Sequence, residues 1–82
     1  MVIYNIELIY EARPKDFPPF KWQQQDDPDE EELNQMMFEF ANKNNIPLDF
    51  LEDKGVLLVS AEENGMHSEP EPYGIDFSKY KK

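Results

Sequence analysis

Six carboxylates crowd residues 26–32: Asp26, Asp27, Asp29, Glu30, Glu31 and Glu32. Carboxylates three or four apart on a helix stand about 5–6 Å apart. Side chains two apart on a strand stand about 6.6 Å apart. Both spacings are comparable to the gap between successive phosphates of a nucleic-acid strand. An acidic helix turn beside Glu7 and Glu11 is therefore able to imitate a phosphate backbone and to occupy the cationic groove of a DNA-binding protein. The local alternative is a capped helix start whose charge serves solubility, although six acids exceed what capping requires. Both readings stand on these residues.

Catalytic chemistry is harder to find. The chain has one histidine, His67, next to Ser68 and Glu69. Neighbours in sequence do not converge as the members of a catalytic triad do, so His67 reads as an exposed loop residue. Gly55, Gly65 and Gly74 are isolated and form no phosphate-binding loop. The 26–32 run lacks the central glycine and terminal glutamate of a calcium-binding loop. With no cysteine there is no disulfide and no thiolate zinc site. The expectation is a non-enzyme without metal or cofactor. Met36 and Met37 are suited to an adaptable surface, but they fall on an apolar stripe and read as core.

Charge narrows the partners. Eighteen acids against 8 bases give a formal charge of −10. Phosphate binding needs a basic surface, so nucleic acid and anionic membrane are disfavoured and a basic protein partner is favoured. The N-terminal segment has neither a basic region nor a small-residue cleavage site, and no apolar run approaches membrane-spanning length. A cytoplasmic protein is expected. The 82 residues suffice for one domain of marginal stability, which makes dimerisation plausible.

The elements that must position these groups follow from periodicity. Residues 2–12 alternate, with Val2, Tyr4, Ile6, Leu8 and Tyr10 on one face, and predict a strand. At a sheet edge this strand would pair with a second copy; in the interior it would not. Residues 13–26, with Pro14, Pro18 and Pro19, predict a long connection without ladder or helix. Asp27 as N-cap, with Pro28 and Glu30 after it, predicts a helix that buries Leu33, Met36, Met37, Phe40 and Ala41 and ends at Asn44–Asn45. Phe38 lies on its polar face. It is either covered by Phe17, Phe20 and Trp22 or acts as an interface anchor. Residues 48–61 predict a hairpin turning at Asp53-Lys54-Gly55, with a short helical turn at 47–53 as the rival. Val56–Val59, apolar on both faces, predicts the most buried strand. The expected fold is α+β: a β-α-β-β core over residues 1–63, with one amphipathic helix on one face of a small antiparallel sheet. Residues 64–82 follow as an extended, mobile segment, with a short strand or a tail at 75–80.

This combination of short length, no cysteine, excess Asp and Glu and a single α+β domain resembles the small acidic inhibitor proteins of bacteriophages. Some of that class are DNA mimics that block HU-type nucleoid proteins, uracil-DNA glycosylase, RNA polymerase or CRISPR nucleases. The likeness is one of character over the whole chain, and no residue takes its role from it. It implies an inhibitor that binds the DNA-binding face of a host protein, with an HU-type protein the first candidate. The alternative is a structural or assembly accessory whose acidity serves solubility.

Overall fold

A nine-residue strand, alternating except at Ile3 and Ile9, organises the molecule. In the computed structural model, which describes residues 1–11 and 17–80, β1 spans Val2–Tyr10. It is followed by β2 (Phe20–Gln24), α1 (Glu30–Asn44), α2 (Leu48–Lys54), β3 (Gly55–Glu63), β4 (Met66–His67) and β5 (Glu71–Gly74). The expected strand end at Ala12 and the stretch around Pro14 lie outside the described residues. All pairings are antiparallel. The sheet order is β2-β1-β3-β4, and β5 pairs with β3 beyond β4. Two helices and five strands replace the expected β-α-β-β arrangement.

β1 is interior, paired with β3 from Val2 to Tyr10 and with β2 from Tyr4 to Leu8. β2 takes the edge of β1 over Tyr4–Leu8, so β1 is not the open edge strand that pairing with a second copy calls for. β2 itself corrects the expectation of an unstructured connection. The prolines stop short of it, and Phe20–Gln24 contains none, so the segment donates to a ladder normally.

One face of the sheet carries the core. Ile6, Leu8, Leu57 and Val59 are buried against Leu33, Met37 and Ala41 of α1 and Leu51 of α2. Val56 is exposed, so β3 is central but covered on one face only. The α1 stripe is Leu33-Met37-Ala41, four apart. Met36 and Phe40 flank it and are only partly buried.

The cap of α1 is Asp29 rather than Asp27: its Oδ1 accepts the Glu32 N–H at 2.7 Å. Pro28 and Leu33, both buried, occupy the two positions of a hydrophobic staple around that cap. This burial favours the later start. Asn45, in the left-handed conformation, ends the helix.

Residues 48–54 adopt the rival helical form, not a hairpin strand. Pro47 accepts the N–H groups of Phe50 and Leu51 through its carbonyl, and Leu51 is fully buried. Gly55 is extended, with φ −101°, and does not make a left-handed turn. Its lack of a side chain serves close packing, since a Cβ there would sit 2.8 Å from the Leu51 carbonyl oxygen.

Residues 66–77 join the sheet and the core and do not extend away from them. Asn64 and Gly65 both have positive φ and turn β3 into β4, as two-residue hairpin loops require. Beyond β5, Ile75 and Phe77 are buried in the same core as Ile6 and Leu33.

Candidate functional site

The acidic run surrounds the exposed start of α1. Asp26, Asp27, Asp29, Glu30 and Glu31 are exposed, and Glu32 is half-buried. Two of these acids also hold the local structure together. Asp29 caps the helix, and Glu32 accepts from Gln24 Nε2 at 2.7 Å, tying the helix start to the end of β2. Negative charge here is stabilised by the helix dipole.

The other predicted carboxylates are elsewhere. Glu7 points to the helix-free face of the sheet, 3.4 Å from the Lys21 ammonium. Glu11 follows the far end of β1, seven residues beyond Tyr4, the partner of Gln24; that is about 23 Å of strand. The structure therefore does not place Glu7 and Glu11 beside the helix start. Phe38 is covered, but by a different segment from the expected one. Tyr80 stacks on it at 4.5 Å, with Phe77 at 6.2 Å. Phe17 instead packs on Tyr10 and Phe50, and Phe20 on Phe40. His67 is exposed in β4, its Nδ1 3.6 Å from Glu62.

Two acids that sequence reasoning missed come to the helix start through the C-terminal segment. Glu71 lies beside Tyr73, which also feels the charges of Asp27 and Glu30. Asp76 lines a small depression with Glu30, Glu31 and Asn34, and its backbone N–H donates to Asn34 Oδ1 at 3.0 Å. The result is a carboxylate cluster drawn from two segments about forty residues apart in sequence. No local pattern signals it, because it depends on β5 pairing with β3. Among the described residues, no three His, Asp or Glu side chains converge to hold a metal ion. No described helix is long and apolar enough to cross a membrane.

Tyr73 reports on the cluster. Its hydroxyl donates to Glu71 Oε2 at 3.2 Å. That bond, then partial burial, then the negative charges of Glu71, Asp27 and Glu30 raise its pKa above the ordinary phenol value. A raised folded-state pKa means that the folded protein holds the proton longer than the unfolded chain. The corresponding stability is complete below about pH 10 and is lost as pH rises through the folded-state pKa. NMR titration of ring-labelled Tyr73 is expected to give a midpoint above that of free tyrosine. Glu71→Gln is expected to lower this midpoint. An ordinary Tyr73 midpoint in the unaltered protein would dissolve the cluster.

Comparison of the chain with family models, curated proteins and solved structures gives no match.

Proposed function

We propose that this is a non-catalytic binding protein. Its acidic surface at the start of α1 occupies the cationic DNA-binding face of a partner protein and competes with DNA for it. The observation that carries this reading is a helix start with six acids beside which Asp76 lines a depression with Glu30 and Glu31. Capping of α1 needs one of them, Asp29, while Glu71 accepts the Tyr73 hydroxyl and Asp76 the Ser78 N–H. Fixed negative charges spaced a few ångströms apart are what a groove built for phosphates recognises. An HU-type nucleoid protein is the first target to try, with the cytoplasm of its host as the site of action.

Binding of the fluorescently labelled chain to a purified HU-type protein, across a salt series, tests the proposal. The affinity is expected to fall steeply as salt rises, and unlabelled duplex DNA should displace the chain at fixed salt. Absence of binding at low salt, or binding that DNA leaves untouched, rejects this mode of action. The acids would then serve capping and solvation, as in an accessory protein.

A further inference from the structure

The geometry points to β2 as a docking edge for an extended, basic peptide segment of a partner protein. The segment would add a strand beside Phe20–Gln24 and place alternate side chains in the aromatic groove between β2 and α1. β2 is the outermost strand on its side, and no described strand pairs with its outer edge. Alternate residues of such a strand direct their N–H and C=O groups outward. The opposite edge is blunted. There β4 has two residues, Pro70 interrupts the edge, and Pro72 lies within β5. β2 has no proline, so its edge is the continuous one.

Beneath this edge lies a groove of about 480 Å³ lined by Pro18, Phe20, Trp22, Met36 and Phe40. Phe20 and Trp22, two apart, face it together, because Trp22 stands opposite the buried Ile6. Trp22 is 51% exposed, although it is the only tryptophan of the chain. An open edge supplies main-chain hydrogen bonds, and a groove below it selects every second side chain of the added strand.

Charge chooses the occupant. Past Trp22 the acidic run begins: the Gln24 amide donates to the Asp26 backbone carbonyl and to Glu32 Oε1, and Glu39 stands on the groove's rim. Lys21 points away, toward Glu7 on the other face, and Lys43 stands at the far end. A second copy would bring another chain of charge −10 to this edge. A basic segment meets attraction instead. In antiparallel pairing its N-terminal half lies at the Gln24 end, so its cations belong there and its apolar residues over Phe20 and Phe40.

The probe is the acetylated, amidated peptide Lys-Arg-Val-Lys-Ile-Thr-Val, titrated into the full chain. Trp22 emission is expected to change saturably, and alternate amides within residues 20–24 to become protected from exchange. Of the two alternately N-methylated forms of the peptide, one should lose at least about tenfold in affinity and the other should bind. Only one set of N–H groups faces the edge. Trp22→Ala should weaken binding at least about tenfold without altering circular dichroism. An unchanged Trp22 signal, equal binding of both methylated forms, or shifts confined to residues 26–32 and 71–76 would each overturn the proposal. The last would mean attraction by charge alone. Protection of β2 without peptide, rising with protein concentration, would assign the edge to a second copy and equally overturn it. The two methylated forms carry the same charge, so the difference between them reads the edge alone and is separate from the outcome of HU-type binding.

Discussion

Phe77→Ala is expected to cost about 3–5 kcal/mol of stability, the range for removing an enclosed aromatic ring. Phe77 has no exposed surface. Its ring lies 6.2 Å from Phe38 and 6.4 Å from Tyr80, and its backbone N–H donates to Glu52 Oε2 at 2.7 Å. It therefore joins the chain's last turn to α1 and α2 at once. Truncation leaves a cavity that α1 and α2 cannot close without moving. Native domains are stable by only about 5–15 kcal/mol, so this one residue accounts for a large share. Phe77→Leu, which conserves most of the volume, should cost under about 1.5 kcal/mol. Tyr80→Ala should fall well below Phe77→Ala, since Tyr80 is only partly buried. Urea unfolding measures all three. A loss below about 1 kcal/mol for Phe77→Ala would show that residues 75–80 contribute little to the core.

Reversing Asp27, Glu30 and Glu71 together to Lys is expected to weaken binding to a basic, DNA-binding partner by at least about a hundredfold at low salt. Even about 1 kcal/mol per reversed charge sums to about 3 kcal/mol, which is two decades of affinity. These three share the surroundings of Tyr73 and avoid the Asp29 cap and the Glu32–Gln24 bond. The fold should survive. The cost of a cation at the first position of α1 is about 0.3–1 kcal/mol. Circular dichroism and an unchanged core spectrum must accompany the binding measurement. Neutral Asn and Gln replacements should give a smaller loss, because they remove attraction without adding repulsion. Glu7→Lys is the control. Glu7 faces the opposite side of the sheet, so its reversal should leave the affinity nearly unchanged. If the folded triple variant bound as tightly as the parent, phosphate mimicry by this cluster would be wrong.

Several features of this architecture are legible from residues a few positions apart. The alternation of β1, the Leu33-Met37-Ala41 spacing, the Asn45 stop and the acidic helix start all belong to this kind. Each depends on a period or a cap, and such signals survive whatever the rest of the chain does. The start of α1 is less legible: the Asp27-Pro28-Glu30 pattern points to Asp27 as the cap, whereas Asp29 caps the helix and Pro28 is buried before it. Asn64-Gly65 is a local hairpin signal too, and a reading of 64–74 as extended gives it no weight.

By itself, the sequence determined an acidic α+β chain with a long amphipathic first strand, an α1 capped by carboxylates and an interior without thiol chemistry. Only the tertiary structure decided which strand is an edge, what covers Phe38 and which acids join the helix start. Those outcomes rest on pairings such as Val56 with Gly74 and Ile6 with Trp22, between segments far apart in the chain. The 48–54 segment is the clearest instance. Local preference, with Gly55 suited to a turn, favours a hairpin here over the rival helical turn. The choice falls to the helix because it buries Leu51 in a core completed by Phe77 and lets Gly55 pass against the Leu51 carbonyl. Burial of this kind is a property of the assembled core, and short apolar runs do not encode it on their own.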